Sequence, residues 1–210
     1  MPWYQWISLS ALIICFCSLL FHFVRLFRLG LPKDFAPPAG DVKSASLYSF
    51  TGAMSPLKKE SAFLHLPTYT AGMIYHLGTF LSLFLIFFMW VDVAFPTALA
   101  RGLGSFMLIS AGCGAAIFIK RFLKKGLRDL SSPDDYISNI LVTGFQFITS
   151  LVLLFPGHFA AAYFLIAALL LLYIPAGKMK HLLYFFSARL QLGFFFGSRG
   201  VWPPHQKQIP

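Results

Sequence analysis

Two of the six histidines, His76 and His181, have the residue type and setting that suit binding of a metal cofactor. His76 lies within the uncharged apolar run 69–90, and His181 follows an apolar run that ends at Gly177. Two imidazoles on separate helices can fill both axial positions of a haem iron, a ligation that suits electron transfer. Alternatively, each histidine is a buried polar side chain bonded to a backbone carbonyl. Either way, an imidazole in hydrocarbon needs a partner, because burying an unbonded polar group costs several kcal/mol.

The elements that must position these histidines are apolar helices. Five runs are long enough to cross a hydrocarbon core about 30 Å thick. They cover residues 7–24, 69–93, 102–119, 136–155 and 159–177. With 58% apolar and 11% charged residues, the chain also falls outside the composition of soluble domains. The sequence therefore predicts an all-α, multi-pass membrane protein that forms a single domain over residues 1–210.

The basic residues predict the orientation of the five spans. Of the 17 Lys and Arg residues, all except Arg101 fall on one side of the five-span arrangement. Connections rich in Lys and Arg face the cytoplasm. We therefore expect the N-terminus outside, a cytoplasmic loop at residues 25–68 and a cytoplasmic tail at residues 178–210. This topology accounts for the net charge of +10 without a nucleic-acid partner.

The loop and the tail are candidate docking segments. The loop is long and rich in proline and glycine, which is typical of functional loops and of linkers. We interpret it as a docking surface for a soluble partner or, alternatively, as a solvated connection. In the tail, aromatic residues alternate with Arg189 and Arg199, a pattern typical of an interfacial helix. This segment either lies on lipid without a partner or is held by a cytoplasmic subunit.

Other polar residues indicate structural roles. Cys15, Cys17 and Cys113 lie in apolar runs and lack the spacing of a disulfide framework, a zinc site or an iron–sulfur site. The segment SSPDDY at residues 131–136 has the chemistry of a helix start, with acidic residues beside the positive end of the helix dipole. We interpret that segment as structural.

The predicted topology places His76 and His181 on the same side of the membrane, where facing helices can clamp one planar ligand. Gly78 would let a neighbouring backbone or the macrocycle approach closely. Three basic residues of the tail would pair with the haem propionates. They are Lys178, Lys180 and Arg189.

His22 and His65 are the rival ligands from the same side. His22 lies at the inner end of the first span, and His65 lies just before the second. On a continuous helix His65 would lie three turns below His76, too shallow for the same iron. We therefore expect these two histidines to contact a quinone or a propionate, or to act as alternative ligands.

Three motifs resemble the haem b membrane subunit, or gamma subunit, of respiratory nitrate reductase. They are YHLGTF from Tyr75, SPDDY from Ser132 and KMKHLLYFFSARLQLGFFFGSRGV from Lys178. Together with the order of the five spans, they look closer still to single-haem relatives in complexes with heterodisulfide-reductase-like or ferredoxin-like iron–sulfur subunits. The resemblance covers essentially the whole chain.

The resemblance implies a cytochrome b that transfers electrons between membrane menaquinol or ubiquinol and a cytoplasmic iron–sulfur subunit. It implies a subunit of an oxidoreductase complex, not an enzyme acting alone, in the cytoplasmic membrane of a bacterium or archaeon. Two-haem members have a second ligand pair near the outer surface, at positions that correspond to Ile86 and the vicinity of Tyr163. Neither position is a histidine here, so the resemblance implies one haem b, held by His76 and His181.

A non-redox membrane anchor or scaffold is the alternative function. In that case the basic face recruits a cytoplasmic partner or anionic lipid, and the histidines are buried polar residues. The sequence leaves open the direction of electron flow, the terminal donor or acceptor, the quinone and the soluble subunit. It also leaves open whether a second haem uses His22 or His65.

Overall fold

The computed structural model describes residues 1–30, 35–56 and 64–204. Over these residues the chain is helical, with no strand. The helices are α1 (Trp3–Arg28), α2 (Val42–Phe50), α3 (Leu66–Trp90), α4 (Thr97–Leu123), α5 (Lys125–Asp129), α6 (Pro133–Leu154), α7 (Ala160–Ala176) and α8 (His181–Ser198). Two 3₁₀ helices cover Gly52–Met54 and Lys178–Lys180. Parts of the predicted docking loop, residues 31–34 and 57–63, and the end of the tail, 205–210, lie outside the described residues.

Four helices, α1, α3, α4 and α6, are individually long and apolar enough to span a membrane. Helix α7 has 17 residues and passes this test only together with the segment Lys178–Ser198. By length and composition, the described residues thus contain four helices that could span a membrane, or five if α7 and that segment, which are bent by 71° at the break between them, form one span. The prediction of an all-α chain with several such helices is confirmed. Its orientation stays a prediction.

The helix ends follow local chemistry. Helix α3 ends at Trp90, short of the predicted boundary at residue 93, because Asp92 adopts a left-handed conformation with φ of 52°. The N–H groups of Asp92 and Val93 donate to the carbonyls of Met89 and Phe88, as in a Schellman motif. Helix α6 begins as predicted, with Pro133 in its first turn and a capping box between Ser132 and Asp135.

The helices fall into two compact units, each with its own internal packing. The first comprises Met1–Leu20 and Pro67–Met179, and the second comprises Phe21–Leu66 and Lys180–Pro210. Helix α1 therefore contributes its first part to one unit and its last turns to the other. The prediction of one cytochrome domain stays a prediction.

The core of the first unit lies where α6 meets α4 and α7. Phe145 of α6 and Tyr163 and Leu170 of α7 have no exposed surface. Among lipid tails, burial of such side chains gains little hydrophobic free energy, so van der Waals packing and interhelical hydrogen bonds must hold the helices together. One such bond joins Trp90 Nε1, which donates, to Ser8 Oγ of α1 at 2.8 Å.

In the second unit, α2 packs against α8 across two glycines. A Cβ atom at Gly193 would lie 2.5 Å from Ser46 Cα, and one at Gly197 would lie 2.7 Å from Ala45 Cβ. The spacing of four residues is that of small-residue contacts between membrane helices. Ser49 Oγ donates to the Arg189 carbonyl at 2.9 Å across the same contact. Residues 42–50 and α8 therefore form one tightly packed helix pair.

Candidate functional site

His76 lies on the exposed, apolar face of α3. Met73, Leu77 and Phe80 surround it within one turn along the helix, and all three are also exposed. The ring of Tyr75 lies 6.4 Å from the imidazole, measured between ring centroids. The imidazole therefore lies on an exposed and otherwise apolar face of α3, a helix that is long and apolar enough to span a membrane.

Gly78 lies on the opposite side of α3, because two residues correspond to a rotation of about 200°. It is buried, and an added Cβ atom would collide with Ser110 Oγ of α4. The Ser110 hydroxyl donates to the Ile74 carbonyl at 3.0 Å. The sequence analysis allowed either a neighbouring helix or a haem macrocycle to approach Gly78. In the structure the neighbouring helix α4 lies there. Approach of a macrocycle at this residue stays a prediction.

A cluster of polar side chains joins α3, α4 and α6, and we call it the polar seam. Its members are Tyr75 and Thr79 of α3, Ser110 of α4, and Asn139, Thr143 and Gln146 of α6. Gln146 Nε2 donates to the Tyr75 carbonyl at 3.0 Å and to Thr79 Oγ1 at 2.8 Å. The Tyr75 hydroxyl lies 3.1 Å from Thr143 Oγ1, and Asn139 Nδ2 donates to the Gly114 carbonyl of α4 at 3.3 Å.

The sequence analysis missed the polar seam, although a signal was present. Asn139, Thr143, Gln146 and Ser150 recur at intervals of four, three and four residues within a largely apolar run. That period places them on one face of a helix. Gln146 is fully buried, and its Oε1 atom has no hydrogen-bond partner among the described residues.

His181 is the first residue of α8 and is exposed. Leu182 follows it, and Phe185 lies one turn further along the helix. The Arg189 guanidinium lies over the Phe185 ring, with its carbon 5.6 Å from the ring centroid. His76 belongs to the first unit and His181 to the second. Ligation of one iron by this pair stays a prediction.

His22 contacts Tyr184 within the second unit. Its Nδ1 atom lies 3.3 Å from the Tyr184 hydroxyl, and both side chains are half-buried. In this contact the other ring nitrogen, Nε2, is not used. His65 is exposed and precedes α3, and His158 Nδ1 lies 3.3 Å from the Pro156 carbonyl. The predicted quinone or ligand roles of His22 and His65 stay predictions.

Lys178, one of the predicted propionate partners, forms an ion pair with a carboxylate of the chain. Its Nζ atom lies 2.7 Å from Asp135 Oδ1, and Arg121 Nη1 lies 3.3 Å from the same oxygen. Asp135 precedes the apolar run 136–155. The Lys178 ammonium lowers the pKa of Asp135 to about 2, and hydrogen bonds from Ser132 act in the same direction against the effect of burial. Pairing of Lys178, Lys180 or Arg189 with propionates stays a prediction.

The positions that correspond to an outer haem pair are filled by core side chains. Ile86 is 2% exposed and Tyr163 has no exposed surface, and both belong to the same hydrophobic cluster. The Tyr163 ring lies 5.5 Å from the Phe145 ring and 5.1 Å from the Phe164 ring. This part of the first unit is closely packed.

Cysteine or carboxylate clusters offer no further metal site in the described part of the chain. No group of three or more His, Cys, Asp or Glu side chains is placed there to hold a metal ion. Cys15 is buried, Cys17 is exposed, and all three cysteines are free thiols. Comparison with protein-family models, with curated proteins and with solved structures finds no match to this chain.

Proposed function

We propose that this chain is the haem b membrane subunit of a respiratory complex. In this function it transfers electrons between membrane menaquinol or ubiquinol and a cytoplasmic iron–sulfur subunit. It acts as one subunit of an oxidoreductase complex, in the cytoplasmic membrane of a bacterium or archaeon. The proposal combines the resemblance of its motifs with the setting of the two histidines.

The observation that carries the proposal is the position of His76. Its imidazole is exposed among apolar side chains on a helix that is long and apolar enough to span a membrane. An ionisable group within a helix that spans a membrane would mark a functional site by default. Met73, Leu77 and Phe80 provide the apolar surface against which the faces of a macrocycle would pack.

His181 has similar chemistry on its own helix, with an exposed imidazole beside Leu182 and Phe185. The residues on each helix thus fit a haem with two imidazole ligands, and Lys180 and Arg189 are the basic groups near His181 for its propionates. A bound haem b would supply a one-electron redox couple. His76 and His181 would hold that haem, and with two protein ligands it would serve electron transfer and not oxygen binding.

Ile86 and Tyr163 occupy the positions that correspond to the ligands of an outer haem. The close packing around them supports a single haem and not two. Both side chains are buried in a single cluster, and the macrocycle would have to displace several such residues. Protein interiors are close-packed and have few voids larger than a water molecule, so a macrocycle would find no space there without such displacement. With one haem on that side, either a quinol would react nearer the cytoplasm than in the two-haem subunits that the motifs resemble, or electrons would have to cross more of the membrane.

The test is a visible spectrum of the full chain purified after expression with ample haem. We expect one haem b per chain, measured as a reduced-minus-oxidised spectrum with haem quantified against protein. His76→Ala and His181→Ala should each abolish the low-spin signal. His158→Ala, a change at an exposed loop histidine, is the matched control and should leave it intact. A colourless wild-type protein would contradict the proposal.

A membrane scaffold that recruits a partner through its basic residues is the second candidate. The exposed cation–π pair of Arg199 with Phe195, 3.7 Å from guanidinium carbon to ring centroid, favours it as a feature suited to membrane or partner contact. A scaffold would retain assembly with its soluble partner after both His76 and His181 were changed. A cytochrome would instead lose electron transfer to that partner.

A further inference from the structure

The connection between α4 and α6 carries basic and large apolar side chains side by side, all within the first unit. Residues 122–130 are exposed without exception. Leu123 is 73% exposed and Leu130 is 86% exposed, and Phe122 and Leu127 are exposed as well. Apolar surface of this kind, bordered by charged residues, is typical of a site that contacts another molecule or a membrane.

Hydrogen bonds order this connection. The Lys124 carbonyl accepts from the backbone N–H groups of Leu127 and Arg128, at 3.0 and 2.9 Å. The Ser131 hydroxyl donates to the Leu127 carbonyl at 2.6 Å, and Arg121 Nη1 of α4 donates to Ser131 Oγ at 3.1 Å. The short helix α5 is therefore tied to the end of α4, and its side chains have defined directions.

The basic and the apolar side chains lie on different faces of α5. Lys125 and Arg128 are three residues apart, as are Leu127 and Leu130, and residues at this spacing share one face of a helix. Leu130, which caps the helix, keeps helical backbone angles. Because the two residues from Lys125 to Leu127 correspond to a rotation of about 200°, the two faces are well separated. Helices at a membrane surface have this pattern.

The charges of the connection are not neutralised within the described part of the chain. There, Lys124, Lys125 and Arg128 form no ion pair, whereas Arg121 is paired. These three basic residues outnumber the single acid between them and α6's cap, Asp129. Ammonium and guanidinium groups in this state bind phosphate oxygens through charge-assisted hydrogen bonds.

The position of the connection selects the kind of molecule that meets these charges. Helices α4 and α6 are each long and apolar enough to span a membrane, and they end and begin at Leu123 and Pro133. With both helices in a membrane, so short a connection lies at the level of the lipid headgroups, because each residue extends the chain by at most about 3.6 Å. Leucines exposed at that level meet acyl chains, whereas a soluble protein would approach from the water.

We propose that residues 122–130 bind the headgroups of anionic phospholipids. The three basic side chains contact the phosphates, and Leu127 and Leu130 enter the boundary between headgroups and acyl chains. Each basic residue near an anionic membrane surface strengthens binding roughly fivefold. This inference goes beyond the proposed function, since it depends neither on a haem nor on which end of the chain faces the cytoplasm.

The first arm of the test measures amide hydrogen exchange over residues 122–131 of the full chain in lipid nanodiscs. Exchange should be several-fold slower in discs of phosphatidylcholine with phosphatidylglycerol than in discs of phosphatidylcholine alone, because bound headgroups order the segment. Combined change of Lys124, Lys125 and Arg128 to Gln should remove this difference. Arg101→Gln, a change at an exposed basic residue near the other end of α4, is the matched control and should preserve it.

The second arm counts the phosphatidylglycerol molecules that the detergent-solubilised chain retains, by native mass spectrometry. Affinity should fall roughly 100-fold in the triple Gln variant, as expected for three basic residues. Combined Leu127→Ser and Leu130→Ser should also reduce retention, although the charge of the segment is unchanged. Circular dichroism of each variant shows whether its helices remain folded.

Three results would overturn the inference. The first is equal exchange over residues 122–131 in the two kinds of disc, and the second is phosphatidylglycerol protection that persists in the triple variant. The third is slower exchange with added poly-glutamate in phosphatidylcholine discs that phosphatidylglycerol does not reproduce, which would assign the segment to an acidic soluble partner. Neither arm reads haem, so a colourless wild type would refute the proposed function alone.

Discussion

In the first unit, polar side chains bridge the helices, whereas in the second unit two helices touch through glycines. Gln146 reaches from α6 to the backbone and the side chain of α3, and it is fully buried. Gly193 and Gly197 instead bring the backbone of α8 against Val42, Ala45 and Ser46 of α2. The first arrangement depends on hydrogen-bonding groups, and the second depends on the absence of side-chain volume.

This difference predicts different sensitivities to substitution. A hydrogen bond between membrane helices contributes about 0.6 kcal/mol on average, because the separated helices also find partners. An added side chain at a backbone contact has nowhere to go and must separate the helices. We therefore expect the α2–α8 contact of the second unit to be more sensitive to small changes in volume than the hydrogen bonds of Gln146 in the first unit.

The largest effect is expected for Gly193→Val. Its side chain would overlap the Ser46 backbone, so α2 and α8 should separate at a cost of about 3 kcal/mol or more, the upper range for overpacking. Limited proteolysis of residues 35–56 should accelerate, and the midpoint of thermal unfolding should fall. Gly144→Ala is the matched control, since nothing lies within 4 Å of its added Cβ atom. Equal stability of the two variants would refute the glycine contact.

A smaller effect is expected for Gln146→Leu. The substitution removes both hydrogen bonds to α3, which destabilises the fold, but it also removes the buried Oε1 atom that has no hydrogen-bond partner among the described residues. We therefore expect the free energy of unfolding to fall by only about 1 kcal/mol. Unfolding in mixed detergent micelles measures it, with Phe147→Leu at an exposed neighbouring position as the control. A double-mutant cycle with Thr79→Ala isolates the bond at 2.8 Å. Additive effects of the two changes would argue against a direct bond.

The smallest expected effect is the pH dependence of stability. It should come from the ion pair of Asp135 with Lys178 and not from the polar seam. The pKa of Asp135 lies at about 2 in the folded chain, below its ordinary value of 3.8. The ionised carboxylate therefore stabilises the folded state above about pH 4, and this contribution is lost as the pH falls towards 2. We expect less than about 1 kcal/mol, measured as the unfolding midpoint between pH 6 and pH 3.

Asp135→Asn supplies the control for that measurement. The variant should show a weaker pH dependence than the wild type, because its side chain no longer titrates. Gln146→Leu should keep the wild-type pH dependence, since the polar seam contains no carboxylate. An identical pH profile in the wild type and in Asp135→Asn would show that the Lys178 contact does not depend on charge.

The sequence predicted the long apolar helices well, but it predicted neither α2 within the loop at residues 25–68 nor the helix contacts. The apolar runs and the capping residues Ser132 and Asp135 act within one segment, so their effect is readable from the order of residues. The polar stripe of α6 was equally local and was available to the same reasoning. Its partners on α3 and α4 were not, because they depend on how three helices are rotated against each other.

The sequence by itself determined four of the segments that are helical and apolar enough to span a membrane, whereas the predicted run 159–177 meets that test only together with the segment after it. It did so because length and hydropathy act along the chain, over some 20 residues. Only the tertiary structure decided that Gly78 faces Ser110 while His76 faces outward, and that Lys178 meets Asp135, 43 residues away. Such contacts arise from the packing of helices that are distant in sequence, where a rotation of one helix by 100° exchanges every partner.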